Sequence, residues 1–185
     1  ILTPHHLHLE HTLKACEAGK HISLQKVPAL TLSEMDQMIA AAKKAKVKFR
    51  VFENFRFYPP YLRANELIDQ GVIGQPERVD YRMIMADKAL SSWEVPLESW
   101  KWRFTEKGNY KAPTIFDDGY HKHSVISQFL REPIESILTW QGVKYVKGVI
   151  RHDSPFVIIY SCKNKSRFAA WTASLHDFVP MHSKY

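Results

Sequence analysis

One lysine stands where its amine could exchange a proton with a bound hydroxyl group. Lys26 follows a predicted strand at residues 21–25, and ligands of open α/β sheets bind beyond the carboxyl ends of the strands. Removing a hydride from a secondary alcohol requires a base beside the hydroxyl, because its proton must leave as well. Lys26 is therefore a candidate acid/base, although a lysine in an exposed loop would give the same pattern.

A carboxylate and an imidazole four residues apart form a second candidate group. Asp117 and His121 would share one face of a helix if Asp117 began it. The carboxylate could then orient the imidazole for proton transfer. In isolation, however, an aspartate at the start of a helix is typical of an N-cap.

Histidines crowd the start of the chain, at positions 5, 6, 8 and 11. His8 and His11, or His5 and His8, would share a helical face, which is a spacing that zinc sites use. No set of cysteines or carboxylates with metal-ligand spacing accompanies them. We therefore expect exposed or backbone-bound histidines and no metal site.

The net charge of +7 on 185 residues does not by itself predict a nucleic-acid partner. The only dense basic run, Lys43-Lys44-Ala45-Lys46-Val47-Lys48, falls at the end of a predicted helix. Cations there complement the negative end of the helix dipole. We expect a solvated helix end and no nucleic-acid partner.

The chain has no features of a membrane or secreted protein. No run approaches the roughly 18 apolar residues of a membrane-spanning helix, and the first residues lack the basic and apolar segments of a signal peptide. Its two cysteines, Cys16 and Cys162, give no disulfide framework. We expect a cytoplasmic protein with free thiols and no membrane partner.

The elements that would position these side chains alternate over the first third of the chain. Thr3 and Pro4 are typical of a capped helix start, and Gly19 of a helix end. A second helix is predicted from a capping pair at Ser33 and Asp36, followed by a strand at residues 47–53. Ile1 has the character of the end of a strand, so we expect further chain before it. Alternating helices and strands predict half of a doubly wound parallel sheet.

The rest of the chain predicts a second domain. A boundary near residue 60 divides a partial doubly wound domain, residues 1–60, of the kind that often binds dinucleotides, from a partial α+β open-sheet domain, residues 61–185. We predict helices at residues 61–70 and 120–130 and an irregular segment at 86–116. The predicted strands lie at residues 78–85, 134–141, 143–150, 155–162 and 167–175.

These signals together resemble the Gfo/Idh/MocA family of dehydrogenases. Thr3-Pro4-His5-His6-Leu7-His8 is similar to its Thr-Pro-Asn-x-x-His segment. Glu17-Ala18-Gly19-Lys20-His21, followed by Gln25-Lys26, resembles its Glu-Ala-Gly-Lys-His and Glu-Lys-Pro run. Segments 53–57 and 67–76 resemble the exit from the last Rossmann strand and the entry into the sheet domain, and Asp117 with His121 matches an Asp-x-x-x-His pair.

The resemblance implies a Rossmann domain, NAD or NADP as cofactor, and a sugar or polyol substrate. It implies that the catalytic residues are Lys26, Asp117 and His121, and that the cofactor-binding residues are Thr3, Pro4, His5, His8, Gln25, Lys26, Asn54 and Arg56. Two departures affect the loop at Lys26, since Gln25 replaces a glutamate and Val27 a proline. The seven glycines nowhere form G-x-G-x-x-G, so we expect that motif before Ile1 and more sheet domain after Tyr185.

Two functions remain open at this point. The first is hydride transfer between NAD(P) and a hydroxyl of a sugar, cyclitol or related polyol, with Lys26 taking the proton, His121 relaying it and Asp117 orienting the imidazole. Arg103 would contact an anionic or polyhydroxyl substrate, or simply stack on a neighbouring tryptophan. The second is a non-catalytic scaffold or regulatory fragment that does not bind cofactor. Either way, we expect a homo-oligomer through the open sheet face; the choice of polyol, of NAD or NADP, and the oligomer number stay undecided.

Overall fold

The computed structural model describes residues 1–86, 101–104, 112–146 and 150–176. The predicted irregular segment at residues 86–116 therefore lies mostly outside the described residues, apart from a 3₁₀ turn at Lys101–Phe104. Four α-helices lie in the described part of the chain: α1 His8–Glu17, α2 Leu32–Ala45, α3 Pro59–Asp69 and α4 Gly119–Leu130. The strands there are β1 Ile22–Leu24, β2 Phe49–Val51, β3 Arg78–Ala86, β4 Ile134–Gln141, β5 Lys144–Val146, β6 Ile150–His152, β7 Phe156–Cys162 and β8 Phe168–His176.

The first part of the chain has the predicted helix and strand alternation. Strands β1 and β2 pair in parallel, with Leu24 opposite Val51. Ile1 donates from its amino group to the carbonyl of Ser23 and accepts from the amide of Gln25, so the chain start runs beside β1 in the same direction. Buried side chains of α1, α2 and the two strands fill the core between these elements, among them Leu24 and Met38, both 0% exposed.

The ends of the first two helices differ in part from the prediction. Gly19, with φ +65°, follows the end of α1 as expected, because glycine adopts this left-handed conformation without strain. The predicted cap by Thr3 is wrong: its hydroxyl bonds His11 Nδ1 at 3.1 Å, and a 3₁₀ turn at His5–Leu7 precedes α1. The predicted pair Ser33 and Asp36 is also wrong, since Thr31 and Glu34 form the capping box of α2.

A four-stranded mixed sheet forms the second part, in the order β3-β8-β7-β4. Only β3 and β8 are parallel, and the other neighbours are antiparallel. The predicted strand at residues 143–150 is instead two short strands, β5 and β6, which pair with each other apart from this sheet. The prediction of an α/β protein with a parallel half and an α+β sheet half agrees with this arrangement.

Helix α4 covers one face of the four-stranded sheet. Its Ile126 and Leu130 pack on Phe156, Ile158 and Trp171, all buried. Burying an aliphatic side chain of this size contributes roughly 1.5–3 kcal/mol. This packing fixes the position of Gly119, where α4 begins. It thereby also fixes Asp117 and His121, which lie two residues before and two residues after Gly119.

Gly119 has no room for a side chain. A Cβ atom there would lie 2.9 Å from Cη2 of Trp171 and 3.0 Å from the carbonyl oxygen of Thr114. We expect Gly119→Ala to lower the free energy of unfolding by about 1–3 kcal/mol, the usual cost of overpacking a core. Urea unfolding measures this, with Ser127→Ala on the exposed side of the same helix as the control. An unchanged midpoint for Gly119→Ala would contradict the packing described here.

Candidate active site

The candidate site lies beyond the carboxyl ends of β1 and β2. Lys26 and Glu53 each follow the paired residues Leu24 and Val51 by two positions, so the parallel register brings both to the same edge of the sheet. Ile1 lies beside β1, which brings the segment from Thr3 to His5 to this edge as well. The sequence predicts this convergence because parallel strands end together.

Lys26 contacts Asp117, as expected. Its Nζ lies 2.5 Å from Asp117 Oδ1 and 3.1 Å from the carbonyl oxygen of the same residue. The lysine side chain is 13% exposed and the aspartate side chain 7%. The amine of Lys26 is therefore mostly withdrawn from water and held in one place, unlike that of a loop lysine. The peptide bond that follows it, Lys26–Val27, is cis.

Asp117 is the centre of a charged cluster. Arg103 Nη1 donates to its Oδ2, and His5 Nε2 lies 3.7 Å from its Oδ1. Burial raises the pKa of Asp117, but the charges and hydrogen bonds of Lys26 and Arg103 outweigh burial and hold it below its ordinary value. Asp117 is consequently an ionised carboxylate at neutral pH, shared by two cations.

The predicted contact between Asp117 and His121 is wrong. His121 Nδ1 bonds Glu53 instead, at 2.9 Å from Oε1 and 3.0 Å from Oε2. Residues Pro113–Asp118 form a π-helix, and α4 begins only at Gly119. Asp117 lies within the wider π-turns, and its carboxylate contacts Lys26 and Arg103 and not His121. The i,i+4 contact is made by Asp118, whose Oδ2 lies 2.6 Å from Lys122 Nζ.

Glu53 is a site residue that the sequence prediction missed. Its Oε1 also accepts the backbone N–H of Phe55 at 2.8 Å, and the Phe55 ring stacks on His121 with centroids 4.4 Å apart. Since Nδ1 of His121 is bound to Glu53, the other ring nitrogen is the one that could contact a ligand. A carboxylate two residues beyond a strand end, level with Lys26, was the signal that could have identified it.

Asp153 holds the segment that carries Asp117. Asp153 is 0% exposed. Its carboxylate accepts hydrogen bonds from the backbone N–H groups of Thr114, at 2.9 Å, and Ile115, at 2.6 Å. Burial raises the pKa of Asp153, and these two bonds offset burial only in part. Asp153 thus anchors the first turn of the π-helix, and nothing in the local sequence around position 117 indicates this partner.

The residues expected to contact a cofactor take different positions. Gln25 accepts the N–H of Lys26 on its side chain, and Asn54 and Arg56 are exposed beyond β2. His5 and His8 are buried, and the hydroxyl of Thr3 is hydrogen-bonded to His11. Pro4 precedes the 3₁₀ turn. The exposed pair at 54 and 56 could therefore meet a ligand at the sheet edge, whereas His5 is buried near Asp117 and His8 is buried between backbone carbonyl groups.

His8 lies between two backbone carbonyl groups. Its Nδ1 lies 2.9 Å from the Val27 oxygen, and its Nε2 lies 2.8 Å from the Thr3 oxygen. Burial lowers the pKa of His8 and outweighs the carbonyls, which favour the cation. No group of three or more metal-binding side chains occurs in the described ranges. His8 ties the loop after Lys26 to the chain start.

Stability should fall in mild acid because one buried and one partly buried histidine are neutral in the folded state. Burial lowers the pKa of His8 and of His123, whose Nδ1 accepts the Tyr160 hydroxyl at 2.6 Å. The unfolded chain therefore binds more protons below about pH 6.5, so the free energy of unfolding should decline from there toward the lower folded pKa values. His123→Gln should flatten this decline and His6→Gln, at an exposed position, should not; urea unfolding between pH 7 and 5 measures both. A decline of equal slope in all three proteins would contradict the assignment.

Comparison with known proteins agrees with this architecture. Residues 1–53 match the Gfo/Idh/MocA oxidoreductase family with its NAD-binding Rossmann fold. The chain is 30% identical over 188 aligned positions to a 2,7-anhydro-N-acetylneuraminate hydratase of Mediterraneibacter gnavus, covering 95% of this chain and 45% of that one. It is 28% identical to a scyllo-inositol 2-dehydrogenase (NADP(+)) of Bacillus subtilis, covering 65% of this chain and 31% of the relative.

A solved structure shares the fold over nearly the whole chain. An oxidoreductase from Agrobacterium radiobacter, in complex with NAD+, L-tartaric acid and magnesium, superposes with a TM-score of 0.78 at 19% identity. The match covers 97% of this chain and 48% of that one. The chain thus spans less than half the length of each of these proteins. The first 53 residues of the chain thus match the NAD-binding part of the Gfo/Idh/MocA oxidoreductase family, and the chain shares the fold of this solved oxidoreductase.

Proposed function

We propose that the whole protein is an NAD(P)-dependent dehydrogenase that oxidises a hydroxyl of a sugar, cyclitol or related polyol, with Lys26 as acid/base. The observation that carries this proposal is the Lys26 amine, which lies 2.5 Å from a buried carboxylate at the ligand-binding edge of the sheet, on a side chain that is 13% exposed. A structural ion pair could be formed anywhere in the fold. One at this edge, in a family of oxidoreductases, supports a catalytic role.

Lys26 and Asp117 divide the work of moving the hydroxyl proton. In oxidation the Lys26 amine accepts the proton of the substrate hydroxyl, while a bound nicotinamide supplies the acceptor for the hydride from the same carbon. The resulting ammonium lies beside Asp117, which is already ionised because its pKa is held low by Lys26 and Arg103. In the reverse direction the ammonium returns the proton to the carbonyl oxygen.

The contact with Glu53 determines which ring nitrogen of His121 could act on the substrate. With Nδ1–H donated to the Glu53 carboxylate, a neutral imidazole keeps a lone pair on Nε2 and can accept a hydrogen bond or a proton from the substrate. This assignment of the tautomer follows from the carboxylate, which can only accept when ionised. We therefore assign the orientation of His121 to Glu53, and the stabilisation of Lys26 to Asp117.

The described residues fit one end of a dinucleotide better than the other. Exposed Asn54 and Arg56 follow β2, close in sequence to Glu53, and could contact the nicotinamide side. A diphosphate normally binds at a glycine-rich turn before a helix. The chain's glycines do not form that turn, so we expect these residues by themselves to bind a dinucleotide weakly at most.

A fluorescence titration separates the dehydrogenase from the non-catalytic scaffold. We expect the whole protein to bind NADH or NADPH at micromolar concentration and to reduce NAD(P) with at least one member of a polyol panel that includes inositols and sugar acids. The 185-residue chain should show little or no binding in the same titration, because it lacks the phosphate-binding turn. A whole protein that neither binds the cofactor nor turns over any of the panel would favour the scaffold.

The open face of the four-stranded sheet supports the proposed self-association. Leu138 and Trp140 lie opposite Ile159 and Val157, on the face away from α4, and are 69% and 60% exposed. Apolar patches of this kind are uncommon on monomers. We expect Trp140→Lys to lower the molar mass measured by light scattering, and Ile73→Lys, at an exposed apolar position outside the sheet, to leave it unchanged. A wild-type monomer at high concentration would contradict this proposal.

None of the described helices combines the length and the apolar character needed to cross a bilayer. We retain the cytoplasmic location as a proposal, and fractionation of the cells that express the protein would test it.

A further inference from the structure

The Lys26, Arg103 and Asp117 cluster carries more positive than negative charge when Lys26 holds the proton it has accepted. The Lys26 ammonium and the Arg103 guanidinium then share one carboxylate, which leaves a surplus of one positive charge, and the nearby His5 imidazole adds no negative charge. The neighbouring described carboxylates are occupied elsewhere, Glu53 by His121 and Asp118 by Lys122. A surplus of positive charge in a largely buried site is unfavourable unless a ligand supplies an anion.

The guanidinium group of Arg103 has hydrogen-bond donors that do not contact Asp117. Its Nη1 donates to Asp117, but its buried Nε–H has no hydrogen-bond partner among the residues that the structure describes. Buried donors of native proteins are nearly always paired, so an unpaired one calls for a physical explanation. Nε and Nη2 form one edge of the guanidinium, and that edge matches the two oxygens of a carboxylate. The orphaned donor therefore lies on the edge best suited to bind an anion.

The guanidinium group is also held in a fixed orientation. Its Cζ lies 4.7 Å from the centroid of the Trp102 ring, a cation–π contact that keeps the plane of the group in place. The Arg103 side chain is 28% exposed, whereas Lys26 is 13% exposed. Arg103 therefore forms the more open side of the cluster, from which a ligand would approach while the Lys26 amine stays in contact with Asp117.

We propose that Arg103 binds a carboxylate of the substrate, so that the substrate is a sugar acid or another anionic polyol and not a neutral one. This inference rests on the proposed function, because it takes the cluster to be the substrate site. The surplus charge attracts the anion, the free guanidinium edge binds it, and the hydroxyl to be oxidised is thereby set at Lys26. A neutral sugar would leave both the surplus charge and the Nε–H of Arg103 without a partner.

A matched pair of ligands tests the inference on the 185-residue chain. D-glucuronate and its methyl ester share the same ring and hydroxyls but differ by one negative charge. In calorimetric or NMR titrations we expect glucuronate to bind at least about tenfold more tightly than the ester, the usual effect of one charged hydrogen-bonded pair. High salt should reduce this preference.

Two variants of Arg103 and one control make the test specific. Arg103→Gln should abolish the preference, and Arg103→Lys should keep part of it, since it retains the charge but loses the planar edge. Arg63→Gln, in an exposed pair with Glu66, should keep the wild-type preference, and circular dichroism checks that each variant is folded. Equal binding of acid and ester, a preference that survives Arg103→Gln, or no binding of glucuronate at tens of millimolar would each overturn the inference.

The titration does not depend on turnover, so its failure can be told from a failure of the proposed dehydrogenase. A whole protein that oxidises neutral polyols as well as acids overturns the carboxylate site and leaves the dehydrogenase standing. If glucuronate binds through Arg103 but the whole protein turns over no substrate, the carboxylate site is supported and the proposed dehydrogenase is contradicted.

Discussion

Replacing Lys26 by alanine should lower kcat of the whole protein by about a hundredfold or more, with a smaller change in KM. General acid/base groups typically contribute 10²–10⁴-fold, and the Lys26 amine is the one group that contacts Asp117 from the end of β1. The loss should appear mainly in kcat, because the proton is transferred only in the transition state. Steady-state assays with the best substrate of the polyol panel measure it.

The matched control for this experiment is Lys20→Ala, at an exposed lysine outside the site. It should retain wild-type kcat and KM. Turnover of Lys26→Ala within a few-fold of wild type would show that another group takes the proton, and would leave the ion pair with Asp117 as a purely structural feature.

Replacing Asp117 by asparagine should destabilise the chain by about 3 kcal/mol at neutral pH. Removing one member of a buried ion pair typically costs 3–5 kcal/mol, because the partner charge is left buried. We expect the lower end of this range, since Arg103 is 28% exposed and can reach water. Chemical unfolding measures the loss. Glu10→Gln, which removes an exposed pair with Lys14, should change the stability little.

The effect of Asp117→Asn should depend on pH in one direction. The folded pKa of Asp117 lies below its ordinary value, so its contribution to stability is present above the unfolded pKa and is lost as the pH falls through the folded one. The difference between wild type and Asp117→Asn should therefore shrink in acid. A difference that is the same at pH 7 and at pH 3 would contradict the charged cluster.

Most of the secondary structure could be predicted because it depends on short-range patterns. The alternation of elements before residue 54 follows from apolar periodicity, and the parallel pairing of β1 and β2 follows from that alternation. The helix starts were less certain. Ser33 and Asp36 have the spacing of a capping box, but Thr31 and Glu34 have the spacing and also the glutamate that bonds back to the cap.

The site could be predicted only where its residues follow a local rule. Lys26 was identified by its place after a strand, and its contact with Asp117 by the family resemblance. The partner of His121 was mistaken, because an i,i+4 rule holds for an α-helix and the chain has a π-helix before Gly119. The place of Glu53 after β2 could have identified it as a site residue, but not its contact with His121, 68 residues away. Nothing local reveals Asp153, whose partner Thr114 lies 39 residues away.

The candidate site depends on these long-range contacts because its residues come from separate elements. Glu53 follows β2, Lys26 follows β1, and Asp117 lies before α4, so the site exists only when the two parts of the chain are packed together. Asp153 and His8 then hold two of the three segments by their backbones. The chemistry depends on charged side chains, whereas their placement depends on buried polar residues that take no part in it.

Chemical rescue of Lys26→Ala by small primary amines tests the central claim most directly. If the amine at this position exchanges the substrate proton, added methylamine or ethylamine should raise kcat of the whole-protein variant in a saturable manner, while wild type and Lys20→Ala do not respond. A folded Lys26→Ala variant that still binds NADH, is slow, and gains nothing from any amine would contradict the account, as would one that needs no rescue at all.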